Sequence, residues 1–398
     1  MKRKITLLAI LISISLASLC QVNLDSLRSV WNDPKQPDTS RLKAIHKIAW
    51  NGYLFSKPDS SFYFAQLQYN FAKSKGLKKQ MASALNTQGV KFLMQGDYTR
   101  AIDYYTRCLN ILEDIGDRKG VAYSLNNIGM IYHNQGDYAS AIEYYTRSLI
   151  IKEEIGNKRG IAIALNNIGI IYHDFGDYAS AIDYHTRSLA IREKIRDKSG
   201  IADALNNIGI VYNDLGEYTR AIDYHTRSLN IKEEIGDKGG IANSLNNIGN
   251  IYNHQGDSAL SAGNTSLSAD KYTSAIENFT RSIAIREEIG DKLGLADALN
   301  NIGNIYKHQG DFSTAITYNK RALNIAQEVG AALETRNAAN AVYEIYKATG
   351  RNKLALEMYE LYIATRDSID SEENQKEVIR QKYKYEYDKK AIADSVTY

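Results

Sequence analysis

The string L-N-N-I-G occurs five times, at Leu125–Gly129, Leu165–Gly169, Leu205–Gly209, Leu245–Gly249 and Leu299–Gly303, with a weaker copy, L-N-T-Q-G, at Leu85–Gly89. Successive copies lie 40 residues apart except the last step, which is 54. A chain with this period does not close around one globular core. Each period is a supersecondary unit too small to bury its own apolar face, so units stack on one another into a solenoid. Six of them occupy about residues 79–332, five of 40 residues and one of 54. The excess of 14 is Ser258–Lys271, a Ser/Ala/Gly-rich stretch between the halves of one unit. It is expected to be a mobile surface loop, since doubling a loop's length costs only ~0.6 kcal/mol.

Each unit carries two helical patterns. From Ile161 to Asp174 the apolar residues Ala164, Leu165, Ile168, Ile171 and Tyr172 recur at three- and four-residue spacings. This first helix is expected to stop at a glycine followed by an acid: Gly96-Asp97, Gly136-Asp137, Gly176-Asp177, Gly216-Glu217, Gly256-Asp257 and Gly310-Asp311. The glycine supplies the left-handed closing residue and the acid caps the next helix. The second helix, about Tyr178 to Ile195, ends at a short turn of the kind seen at Ile235–Gly240 and Ile289–Gly294. All three prolines (Pro34, Pro37 and Pro58) precede residue 60, so nothing breaks helices beyond it. The expected fold is all-α.

In these residues the chain resembles the tetratricopeptide repeat (TPR) family, in the 40-residue form of kinesin light chains and cell-polarity adaptors. The family's small residue of the first helix matches Gly89, Gly129, Gly169, Gly209, Gly249 and Gly303. Its aromatic three residues on matches Phe92, Tyr132, Tyr172, Tyr212, Tyr252 and Tyr306. The second-helix alanine matches Ala101, Ala141, Ala181, Ala221, Ala275 and Ala315. The aromatic after it matches Tyr105, Tyr145 and Phe279, whereas His185, His225 and Asn319 depart from the pattern. A further small position reads Cys108, Ser148, Ser188, Ser228, Ser282 and Ala322. The resemblance implies a right-handed superhelix of helical hairpins that binds an extended peptide or partner protein on its concave face. Degenerate capping pairs are expected over 22–78, holding Trp50, and over 333–370.

The ends carry separate expectations. Lys2-Arg3-Lys4 followed by the apolar run Ile5–Leu19 reads as a signal peptide over 1–20, too short to span ~30 Å of hydrocarbon. It places the protein in a bacterial periplasm or at the cell surface. The rival reading makes Cys20 a lipidated anchor, although Leu19 stands where such signals carry a small residue. Residues 371–398, containing Y-K-Y-E-Y-D-K-K, are expected to form an extended charged helix. Signal, TPR array and charged helix in that order resemble the periplasmic sensor half of membrane adenylate or guanylate cyclases and histidine kinases. On that alternative the chain is a truncated or split sensor, held at a membrane through a missing C-terminal span.

The recurring polar feature is a pair of mid-helix asparagines: Asn126/Asn127, Asn166/Asn167, Asn206/Asn207, Asn246/Asn247 and Asn300/Asn301. Asparagine is a mediocre helix former, so this recurrence needs a reason. Either the carboxamides line a groove and pair with a peptide backbone, or one of each pair bonds neighbouring units together. The same face presents Met130, Ile170, Ile210 and Asn250, then His133 and His173. This uncharged lining suits a peptide.

No catalytic role is expected. The chain has 49 basic against 46 acidic residues, three of the basic ones in the leader, and so offers no footprint for nucleic acid. It has no Gly-rich phosphate loop, H-E-x-x-H or G-x-S-x-G. His133 and His173 stand one unit apart, too far to share a metal whose ligands sit ~2.0 Å away. His185 and His225 fall in the aromatic slot and are expected to be core. The acids of K-E-E-I-G are expected to be a solvated face. No cofactor and no metal are expected.

Overall fold

The computed structural model describes residues 23–369, so the expected leader with Cys20 and the tail over 371–398 lie outside the described residues. Among the described residues there is helix and turn but no strand. They divide into two compact units, 23–171 and 172–369, whose boundary falls inside one helix.

The N-terminal unit opens with α1 (Leu24–Asn32), α2 (Asp38–Lys47), a π-helical stretch (Ile48–Tyr53) and α3 (Pro58–Ser74). Repeat hairpins follow: α4 (Lys78–Met94) with α5 (Tyr98–Asp114), and α6 (Arg118–Gln135) with α7 (Tyr138–Glu154); α8 (Lys158–Phe175) then reaches the boundary. Trp50 packs from the π-helical stretch onto the core of Leu85, Tyr105, Leu125 and Ile128.

The C-terminal unit continues with α9 (Tyr178–Lys194), α10 (Lys198–Asp214) and α11 (Tyr218–Ile235). Next come α12 (Lys238–Ser261), α13 (Thr265–Ile289), α14 (Lys292–His308), α15 (Phe312–Glu328) and α16 (Ala332–Ala348). A last helix, α17, runs from 352 through 369.

Acids at the turns cap most of the hairpin helices, with Glu217 as the exception: its side chain makes no cap bond to the helix that starts at Tyr218. Asp97, Asp137, Asp177 and Asp311 each accept the backbone N–H three residues on at 3.0 Å and start the second helices. Asp117, Asp237 and Asp291 do the same for first helices at 3.0–3.1 Å. Each such cap contributes about 1 kcal/mol.

Inside a hairpin the small residues permit close approach. A Cβ added to Gly129 would stand 3.0 Å from the Tyr145 ring, and one on Gly249 would stand 2.8 Å from that of Phe279. Ala101, Ala141, Ala181, Ala221, Ala275 and Ala315 are all fully buried. The small position beyond them also bonds: Ser148, Ser228 and Ser282 hydroxyls donate to the carbonyls of Ala122, Ala202 and Ala242 at 2.7–2.9 Å. These bonds tie the second helix to the first helix of the same hairpin.

Two expectations are corrected around Ser258–Lys271. The segment is not a loop. α12 has 24 residues and α13 has 25, against 17 in α14 and α15, so the extra residues lengthen both helices by about two turns. Gly256 accordingly does not close a helix; it lies within α12, where its missing side chain admits Tyr272. The left-handed residue of this hairpin is Gly263, φ 75°, followed by Asn264, which caps α13. The serines and alanines of the segment are compatible with helix, and Tyr272 rewards its extension: the ring is buried and its hydroxyl donates to Asp257 at 2.6 Å.

Candidate functional site

The candidate site is the face that the first helices present within each unit, α6 and α8 in the N-terminal unit and α10, α12 and α14 in the C-terminal one. Every residue singled out there lies on α6, α8, α10, α12 or α14. Asn126, Asn127, Met130, His133, Asn166, Asn167, Ile170 and His173 are half-buried, and so are Asn206, Asn207, Ile210, Asn247, Asn250 and Asn301; Asn246 and Asn300 are buried.

The two members of each pair do different work. In the N-terminal unit Asn127 donates its amide to the Asn86 carbonyl and Asn167 to that of Asn126, both at 3.3 Å. In the C-terminal unit Asn247 donates to Asn206 at 3.0 Å. The second asparagine therefore bonds to the first asparagine of the preceding repeat and holds the stack. The step of 54 residues breaks the register: Asn301 donates to Asn250, and Asn246 donates to the Asp297 carboxylate at 3.2 Å. In two repeats the first asparagine keeps a donor. Asn126 accepts from both Asn167 and Lys152, and Asn206 Oδ1 lies 3.2 Å from His225 Nδ1. Among the described residues, the amide nitrogens of Asn126 and Asn206 donate to no protein atom.

The histidines separate. His173 Nε2 lies 2.7 Å from Asp214 and its Nδ1 3.5 Å from Asp174. The bond to Asp174, helped by Asp214 and opposed by burial, raises its pKa above the ordinary histidine value. His133 stacks obliquely on Tyr138, ring centroids 5.9 Å apart. His185 and His225 are core, each 1% exposed, and burial depresses both pKa values to about 4. Among the described residues no group of three His, Cys, Asp or Glu side chains is placed to hold a metal ion.

Two rows were not picked out in the sequence. One helical turn before each first asparagine stand Tyr123, Ile163, Asp203, Asn243 and Asp297. Tyr123 is 49% exposed and Ile163 38%, so the face is apolar there and polar in the C-terminal unit. Their signal was available: the same repeat register, three residues upstream. The second row is basic and buried, comprising Lys152, Arg192, Lys232 and Arg286, each on a second helix. Burial lowers the pKa of Lys232 against the pull of Asp203 and Asp237. Arg286 pairs with Asp291 at 2.5 Å and donates to Asn243 at 2.9 Å. Nothing in a single repeat marks these as buried, because K-E-E and R-E-E read as surface helix; Glu153 and Glu154 are indeed exposed.

Comparison with known proteins agrees with this architecture. A family model described as tetratricopeptide repeat matches residues 120–194, 200–264, 258–328 and 295–368, and a second of the same description matches 92–119. No curated protein sequence matches the chain. Among solved structures, the apo quorum sensor NprR from B. thuringiensis superposes with TM-score 0.59 at 14% identity, covering 86% of this chain and 92% of NprR. A Rap protein complexed with competence and sporulation factor gives 0.53 at 15%, over 87% and 97% of the two chains. The Rap conjugation gene regulator of plasmid pLS20, in complex with the Phr* peptide, gives 0.55 at 14%, over 88% and 96%. At such identities the likeness is one of fold.

Proposed function

We propose that this chain, which belongs to the tetratricopeptide repeat family, is a non-enzymatic scaffold that binds an extended peptide or a peptide-like segment of a partner protein on its first-helix face. One observation carries the reading: among the described residues the Asn126 amide donates to no protein atom, on the face of the N-terminal unit that also exposes Tyr123 and Ile163, and the Asn206 amide keeps the same freedom in the C-terminal unit. A peptide backbone needs donors at regular intervals and its side chains need apolar contact between them. Proteins similar in fold, captured with a bound factor or peptide, support a peptide-binding use of this architecture. The leader-like N-terminus, Lys2-Arg3-Lys4 before Ile5–Leu19, supports export of the scaffold.

The test is a displayed random-peptide selection against the full chain, repeated with Tyr123→Ser combined with Ile163→Ser. Both side chains are exposed, so the fold survives their loss. Peptides enriched on the native protein are expected to lose at least tenfold in affinity for the variant. Equal binding to both proteins refutes the assignment of the face.

A further inference from the structure

Two buried acceptors go unanswered on the first-helix face of the C-terminal unit. Asn246 and Asn300 are each 8% exposed, and among the described residues the Oδ1 of each has no partner. The repeat explains both. Asn127, Asn167 and Asn247 donate to the first asparagine of the preceding repeat. Asn301 turns to Asn250 instead, which leaves Asn246 without its donor. At the same position α16 carries the buried Ala341, which has no amide to offer Asn300. Asn246 donates its own amide to Asp297 at 3.2 Å, so its free atom is the oxygen. Asp297 and Asn300 stand three residues apart on α14 and are neighbours on its surface. Two carbonyls and a carboxylate therefore gather between α12 and α14.

Charge is unbalanced there in the same sense. Arg286 gives one guanidinium nitrogen to Asp291 at 2.5 Å, another to Asn243 at 2.9 Å and its Nε to Ser282 at 3.0 Å. Asp297 is a second acid beside this one base, half-buried and bonded only by a neutral amide. Burial raises its pKa against the pull of Arg286 and of the Asn246 bond. One repeat earlier Lys232 likewise faces two acids, Asp203 and Asp237. The N-terminal unit differs: around Lys152 the corresponding positions hold Tyr123 and Asn157.

We propose that Asp297, Asn246 and Asn300 form a primary-ammonium site in the C-terminal unit, taking a lysine side chain or the free N-terminus of a partner segment. This rests on the scaffold reading and names the chemistry of its partner. An ammonium has three donors and needs acceptors in three directions. The carboxylate supplies one. The two carboxamide oxygens supply the others once rotation about the last side-chain bond, a soft torsion, turns them to the incoming group. The bond to Asp297 is charge-assisted, and the added cation matches the two acids around Arg286 with two bases. A guanidinium fits less well: its fork needs both oxygens of a carboxylate, and Asp297 Oδ2 already accepts from Asn246.

The probes are N-acetyl-lysine methylamide, glycyl-leucine amide, whose one ammonium is terminal, and N-acetyl-norleucine methylamide, which has none. Each is titrated into the full chain and followed by NMR of the asparagine side-chain amides. An ammonium probe is expected to bind at least tenfold tighter than the norleucine probe and to shift Asn246 and Asn300. The lysine probe wins if the source is a side chain, and glycyl-leucine amide if it is a chain terminus. Asp297→Asn folds, since Asn243 and Asn337 hold that position in the neighbouring repeats, and it is expected to abolish the preference. Asp203→Asn, one acid fewer at the other base, is expected to keep it. Equal binding of the three probes, or binding of none, refutes the ammonium site. So does a preference that survives Asp297→Asn or is lost equally in Asp203→Asn. The peptide selection above reads Tyr123 and Ile163 in the other unit and decides the scaffold separately.

Discussion

Replacing His185 and His225 by phenylalanine should remove most of the acid sensitivity of the C-terminal unit. Both imidazoles occupy the slot that Tyr105, Tyr145 and Phe279 fill in other repeats, and both are 1% exposed. Burial holds each pKa at about 4, with His173 and then Arg192 adding to the depression at His185, and Lys232 at His225. In the unfolded chain a histidine titrates near ~6.5. The folded value is the lower one, so the unfolded state binds the extra proton. Stability is therefore fully present above about pH 6.5 and is lost as pH falls towards 4. At pH 5 the loss comes to about 2 kcal/mol per histidine, or about 4 for the pair. At pH 7.5 the exchange is nearly neutral: the His225 bond to Asn206 is worth about 1 kcal/mol, and the larger apolar ring offsets it. Asp297, whose pKa burial raises, titrates with the opposite sign and is common to both proteins, so it cancels in the difference. Denaturant melts of the native chain and of His185→Phe/His225→Phe at pH 7.5 and pH 5 measure the effect. Parallel losses in the two proteins on acidification would refute the burial argument.

Three other perturbations test the packing. Gly209→Leu should cost several kcal/mol, since even a Cβ would stand 2.9 Å from the His225 ring; an unchanged melting curve contradicts the close approach. Asn319→Phe should stabilise by about 1–3 kcal/mol, because both polar atoms of its buried carboxamide lack partners and the slot is built for an aromatic; circular-dichroism melts check it. Arg196→Gly should raise stability by less than about 1 kcal/mol in the same assay: Arg196 sits at φ 56°, where equivalent residues are Gly116, Gly156, Gly236 and Gly290.

The sequence by itself determined the repeat, its hairpin, its caps and its close contacts, because each rests on residues within one period. A glycine opposite an aromatic, or an aspartate three residues before a free N–H, carries its reason locally. The asparagine-bearing side of the first helices was legible too, as a place where a poor helix former recurs in mid-helix. Tertiary structure decided what local reasoning leaves open. Ser258–Lys271 became helix because Tyr272 found Gly256 and Asp257 on the opposite helix of its hairpin, a pairing that loop-like composition does not reveal. Which asparagine of a pair bonds across repeats depends on the rotation of one first helix against the next. Lys152 reads as one more surface lysine until stacking buries it beside Asn126, and only the comparison of four stacked positions shows that its counter-charge is missing. Burial is a property of neighbours, and neighbours a full period away in the chain are set by the stack.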